Sequence, residues 1–213
     1  MNEQYLEFLR KQCVEEEEVE IRKTAAGTFA GVQPRHKGTR EPARVCWFVV
    51  DLDNPQEGDL EQTKKLRPNI LVNSGRGYHL YFLLAHPVAL SDKSVRDQVQ
   101  QRNRAALLKL EDRFKGDIGV SVNDPERCMR IPGTINPKPG CGKVAELLLI
   151  NEGLNENFNR WYGGLRVERL DEATGHEREG IREDFQARLN AQCSAPGKIQ
   201  DIWLGNRPYD SES

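Results

Sequence analysis

The unbroken apolar run Val45-Cys46-Trp47-Phe48-Val49-Val50 ends in two carboxylates at alternate positions, Asp51 and Asp53. Alternate residues of a strand share a face, so the two acids point one way and Leu52 the other. Like charges side by side at the end of a core strand repel, and burying them adds to the cost. A divalent cation between them removes both problems, and carboxylate oxygens are the donors that Mg²⁺ and Mn²⁺ prefer. The competing reading is a strand running out into the polar turn Asp53-Asn54-Pro55, which accounts for one of the two acids.

A second stretch with chemical content is Asn73-Ser74-Gly75-Arg76-Gly77-Tyr78-His79-Leu80. Two glycines bracket Arg76 and the chain returns at once to an apolar run, the pattern of two antiparallel strands joined by a tight glycine turn. Ser74, Arg76 and His79 would gather near that turn. A hydroxyl, a guanidinium and an imidazole together suit phosphate oxygens, and a histidine beside a triphosphate can carry charge. Singly, His79 reads as an ordinary sheet histidine and the turn as an ordinary hairpin. The third stretch holds Asp117, which follows a glycine and opens an alternating segment, and then the run Arg127-Cys128-Met129-Arg130-Ile131-Pro132-Gly133-Thr134-Ile135-Asn136-Pro137-Lys138. Asp117 is a candidate third carboxylate or a turn residue. Asp124 is its rival, although it precedes a proline as turn residues do. Arg130, Asn136 and Lys138 offer cationic and amide donors, with Pro132-Gly133 turning the chain between them.

The elements that must hold these residues follow from periodicity. Tyr5, Leu6, Leu9 and Cys13 form one helical stripe over residues 3–13. Glu15 to Glu18 read as a solvated acidic turn. The segments 19–22 and 28–32 alternate as strands do. The basic loop Arg35 to Arg40 is either a hairpin tip or a clamp on a phosphate backbone. A polar helix over 56–66 has the length of a crossover between parallel strands and leads to a strand at 70–72. Ser91 can cap a helix reaching Phe114, with Val95, Val99, Ala106, Leu107, Leu110 and Phe114 as its apolar stripe. A strand at 144–149 closes the region. Beyond Asn151, Gly163-Gly164 marks a joint, 165–192 is densely charged, and the end reads as a docked or disordered tail in which Trp161, Ile202 and Trp203 suggest some packing.

The totals set bounds. A chain of 213 residues suits one domain with an appendage, and 37% hydrophobic against 30% charged residues describes a polar globular protein. A net charge of −2 gives no general attraction to polyanions, so any phosphate chain must be held by local clusters. The five cysteines are scattered and read as reduced thiols. No apolar run is long enough to cross a membrane, and the N-terminus lacks a signal peptide's pattern. The expected setting is the cytoplasm of a bacterial, archaeal or infected host cell.

The order Asp51-x-Asp53, then Ser74-Gly-Arg-Gly-Tyr-His79, then Asp117 ahead of Arg-Ile-Pro-Gly-Thr-Ile-Asn-Pro-Lys138, resembles the catalytic core of the archaeo-eukaryotic primase superfamily. It looks most like the primase-polymerase (prim-pol) branch of phages, plasmids and mobile elements. The resemblance spans about residues 3–150. It implies an α+β fold, with an RRM-like palm sheet backed by helices, a small N-terminal αβ unit and a charged, helical or partly disordered C-terminal appendage. The corresponding division is 1–152 for the core and 153–213 for the appendage. It also implies that Asp51, Asp53 and Asp117 bind two divalent ions, Mg²⁺ or Mn²⁺, and that Ser74 and His79 hold the triphosphate of an incoming nucleotide. Arg76, Arg130 and Lys138 would be further phosphate contacts. The implied activity is template-dependent nucleotidyl transfer, priming or extending on single-stranded DNA from nucleoside triphosphates. A replicative helicase or another replication or defence protein is the kind of partner such cores have. The alternative is a primase-like module that binds nucleic acid or nucleotide without chemistry. A glycosyltransferase or metal nuclease would explain Asp-x-Asp but not the Ser-Gly-Arg-Gly-Tyr-His turn, and no nucleophile–base pair for covalent catalysis is present.

Overall fold

A computed structural model describes residues 1–138 and 141–165. In chain order its elements are α1 (Glu3–Arg10), β1 (Glu17–Glu18), β2 (Ile21–Thr24), β3 (Gly27–Gly31), β4 (Arg35–His36), β5 (Arg44–Asp53), α2 (Asp59–Lys65), β6 (Ile70–Asn73), β7 (Gly77–Ala89), α3 (Lys93–Glu111), β8 (Asp117–Ile118), β9 (Cys128–Arg130), β10 (Glu146–Ile150) and α4 (Glu156–Gly163). The architecture is α+β, as expected.

The central sheet has five antiparallel-paired strands in the order β10-β6-β7-β5-β8. β5 lies inside the sheet, between β7 and β8, and its apolar run of 45–50 is buried on both faces. On one face Val45, Phe48, Val50, Leu52, Leu80 and Phe82 pack against α3 and α4. On the other, Trp47, Val49, Val72 and Tyr81 pack against α1 and the small sheet β2-β3-β9. A β-bulge between Val45 and Trp47 is held by Gln33, whose side chain accepts from the amides of Cys46 and Trp47 and donates to the Trp47 carbonyl.

Several expectations need correction. The helix after β5 does link two parallel strands, but β7 lies between them, so β5 and β6 never touch. The cap of α3 is Asp92, whose carboxylate accepts from the Val95 amide, rather than Ser91, and the helix ends at Glu111 rather than near Phe114. The acidic run is not simply solvated, because Glu17 takes a two-pronged contact from Arg44 at 3.0 and 2.9 Å. The basic loop is not a free clamp. Arg35 is fully buried, paired with Glu20 at 3.0 Å and donating to the carbonyls of Arg40 and Glu126.

The core also runs past residue 152. Phe158 is fully buried and stacks on Phe82 at 4.2 Å between ring centres, and Tyr162 and Leu165 join the same cluster. Trp161 packs at its edge, whereas Ile202, Trp203 and the charged stretch from 166 onward lie outside the described residues. Among the described residues no helix is long and apolar enough to cross a membrane.

Candidate active site

The three acids arrive on one face through strand register. Asp53 on β5 pairs directly with Asp117 on β8, and Asp51 pairs with His79 on β7. Residues directly opposite in a ladder project to the same side, so Asp51, Asp53, His79 and Asp117 share the sheet face that carries Trp47, Val49 and Tyr81 further along. Like charges directly opposite cost from a few tenths to about 1 kcal/mol in such a ladder. The fold accepts that cost at the end of its longest buried apolar run.

Each strand is held in place by specific contacts. Opposite Asp53 stands Gly77, and a Cβ there would run into the Leu52 carbonyl oxygen, so only glycine lets β7 close on β5 at this level. The segment leading to Asp117 is fixed by Asp59, a residue the sequence did not flag. Its carboxylate accepts from the amides of Gln56, Lys115 and Gly116 at 2.7, 2.9 and 2.9 Å. Burial works against the Asp59 charge, yet those hydrogen bonds prevail and hold its pKa below the usual carboxylate range. Asn54 donates to Asp117 at 2.9 Å, and the Gly119 amide donates to the Asp51 carbonyl at 2.8 Å.

Electrostatics separate the four groups. Asp53 and Asp117 are exposed, while Asp51 is mostly covered, and burial raises its pKa against the opposing pull of Arg127 and Lys138. His79 is buried. Desolvation, with Arg130 and Lys138 acting in the same direction, outweighs the attraction of Asp53 and pushes its pKa down to about 4. The ring is therefore neutral near pH 7, so its 3.5 Å approach to Asp51 is not an ion pair in the free protein. Its Nδ1 is buried without a hydrogen-bond partner, a deficit of roughly 1–3 kcal/mol.

The sign of the resulting pH dependence is fixed. Because the folded His79 pKa lies below its unfolded value of about 6.5, the unfolded chain takes up the proton first, and stability falls as pH drops from about 6.5 towards 4. His79→Gln is expected to flatten that part of the stability–pH curve in denaturant titrations. An unchanged slope would mean that the ring titrates normally.

The phosphate-contact candidates divide. Arg76 stands exposed at the tip of the β6–β7 turn, and Lys138 is exposed near the acids. Ser74 is buried, and its hydroxyl closes the turn through the amide and carbonyl of Gly77, both at 3.2 Å. Arg130 is not a free donor. It is buried, stacks over Phe29 and donates to the carbonyls of Ile135 and Ala26 at 3.0 Å each. Asn136 is likewise spent inward, on the Ser74 carbonyl at 2.9 Å. Asp124, the rival third acid, is paired with Arg127 at 3.4 Å.

Among the described residues no three His, Cys, Asp or Glu side chains close on one point as a ready-made metal cage. The acids form an open row of oxygen donors. That suits a hard divalent cation of the Mg²⁺ type, which keeps waters and takes further oxygens from phosphates.

No family model matches this chain, and no curated protein matches it. Among solved structures it is similar to a chain of which it spans less than two thirds. That chain is the AEP domain of the primase-polymerase (PrimPol) of cyanophage S-2L, with 20% identity and a TM-score of 0.42 over 60% of this chain and 64% of the other.

Proposed function

We propose that the chain is a template-dependent nucleotidyltransferase that makes or extends primers on single-stranded DNA. The observation that carries this reading is the direct pairing of Asp53 with Asp117, with Asp51 on the same face and His79 across from it. A row of carboxylates built at a cost in repulsion, beside a glycine turn bearing an exposed arginine, suits transfer of a nucleotidyl group from a triphosphate.

Asp51, Asp53 and Asp117 would hold Mg²⁺ or Mn²⁺. When bound, such ions would neutralise charge on the attacking and leaving oxygens of an in-line displacement. The chain's own groups do the remainder. Arg76 and Lys138 would orient the phosphates by charge. His79 would meet a phosphate oxygen as a neutral donor, in a site dry enough to keep it neutral. Ser74 would act through the turn it closes, setting the spacing of Arg76 and His79, and Arg130 would support that surface from within. The acidic face and the basic turn together would keep the 3′ end and the triphosphate in line.

Primer extension on single-stranded templates, with ribonucleotide and deoxynucleotide pools supplied separately, tests the reading. Metal-dependent, template-directed incorporation is the expected result. Metal-independent nucleotide binding with no incorporation would identify a binding module instead.

A further inference from the structure

Residues 133–136 and 143–145 form a short ribbon beside the glycine turn. The amide of Asn136 bonds the Lys143 carbonyl at 2.8 Å, that of Ala145 the Thr134 carbonyl at 2.8 Å, and Ile135 bridges Val144. Alternation along the ribbon sends Asn136 and Ala145 inward, at 3% and 1% exposure. It sends Ile135 and Val144 outward as a cross-strand pair, at 60% and 49% exposure. Two branched apolar side chains thus stand side by side in water on a built ribbon, open to a ligand's apolar surface.

Three cations lie on this ribbon and the turn against it, alongside the exposed carboxylate of Glu146. The ribbon lies directly on the turn that carries Arg76: a Cβ on Gly75 would stand 3.2 Å from the Lys143 Cβ and 3.6 Å from that of Asn136. Arg76, Lys138 and Lys143 are all exposed, and among the described residues none of them is held in an ion pair. A net charge of −2 gives the chain no general hold on a polyanion, so these three cations beside one apolar step are where a local hold is available. An apolar step edged by free cations fits sugar and base surfaces flanked by phosphates, and it fits a neutral or basic protein surface poorly.

We propose that the Ile135–Val144 ribbon, with Lys143 at its edge, is a docking surface for a nucleic-acid strand that leads to the acidic face. The assignment rests on the transferase reading for its direction towards Asp53, and extends it to residues that reading does not use. Lys143 contacts a backbone phosphate of the strand, not the incoming triphosphate, and Ile135 and Val144 lie against its sugars or bases.

The test is fluorescence anisotropy of a labelled single-stranded oligonucleotide with the full chain over a salt series, paired with titration of a free nucleoside triphosphate. Lys143→Gln should weaken DNA binding roughly three- to tenfold at low salt and reduce the slope of log K against log salt by about 0.7. Lys143→Arg should restore both. Ile135→Thr with Val144→Thr, which keeps strand-forming residues at an exposed bridge, should weaken DNA binding to a similar degree with the salt slope unchanged. Triphosphate affinity should stay at the wild-type value throughout. DNA affinity equal to wild type in both variants, or a matching loss of triphosphate affinity, would overturn the assignment. Weakened DNA binding in the variants, with a wild-type chain that binds DNA but incorporates no nucleotide, would reject the transferase reading and leave the ribbon assignment standing. Normal incorporation with undiminished DNA binding in both variants would do the reverse.

Discussion

Replacing Asp51 and Asp53 together by asparagine is expected to abolish template-directed incorporation while leaving the chain folded. Asparagine keeps the shape of each side chain and removes its charge, so the effect falls on cation binding. Losing several kcal/mol of charge stabilisation in the transition state corresponds to a rate loss of about a thousandfold or more. Stability should move the other way. Burial raises the pKa of Asp51, so folding at neutral pH works against its ionised form, and a neutral side chain removes that opposition. Asp53 stands opposite Asp117, and neutralising it relieves a like-charge pair. A melting temperature at or above that of the wild type, with activity gone, is the combined signature. The third acid is tested in the same assay. Asp117→Asn should match the double variant because its register is with Asp53, whereas Asp124→Asn should cost far less because Asp124 is engaged by Arg127.

The second large effect concerns folding. Phe158→Ala should destabilise the chain by about 4 kcal/mol, the range for a buried aromatic in a packed core. Phe158 is fully buried, stacks on Phe82 and lies 5.5 Å from Phe48, so removing it opens a void beneath the strand that carries Asp51 and Asp53. Truncation after Glu152 should be more severe, because it also removes Tyr162 and Leu165 and exposes the same face. Denaturant titration of the point variant and circular dichroism of the truncated chain measure the two effects. A cooperative, stable fragment ending at 152 would show that α4 is dispensable.

What could be read from the sequence follows from the range of the interactions involved. The apolar run of 45–50, the glycine turn at 74–77 and the strand entry at Asp117 are local patterns, and period two is enough to put Asp51 and Asp53 on one face. A glycine before an alternating segment marks Asp117 as a candidate third carboxylate, but only the fold shows that its strand pairs it with Asp53. The limits appear where a side chain's role is set by distant backbone. Arg35 and Arg130 look like exposed phosphate binders in a basic or motif-rich context. Each instead donates to carbonyls far along the chain, Arg35 to that of Glu126 and Arg130 to that of Ala26. Period and charge carry no record of such contacts. Asp59 is hidden for the same reason, since it reads as an ordinary helix-start acid while its carboxylate organises the approach to Asp117. Its neighbours Gly58 and Lys115 give no pattern that would mark it. The core role of Phe158 was hidden by a change in composition after Asn151, because one short amphipathic helix among charged residues looks like the start of a different unit.

These corrections narrow the chemistry. With Ser74 and Arg130 occupied by the backbone, the free cations on the acidic side reduce to Arg76 on the turn and Lys138, whose charge reaches Asp51. With His79 neutral in the free protein, its proposed role is that of a hydrogen-bond donor rather than a charge. The site is a negative face flanked by a positive turn, and each side is held by contacts away from the chemistry.

The central claim is that Asp51, Asp53 and Asp117 jointly hold divalent ions. Crystals grown with Mn²⁺ and a non-hydrolysable nucleoside triphosphate test it most directly through the anomalous signal of the metal. Peaks bounded by these three carboxylates and the phosphates, and absent from the Asp53→Asn chain, are the predicted result. Manganese bound elsewhere, or a triphosphate seated away from Arg76 and His79 with that face empty, would contradict it.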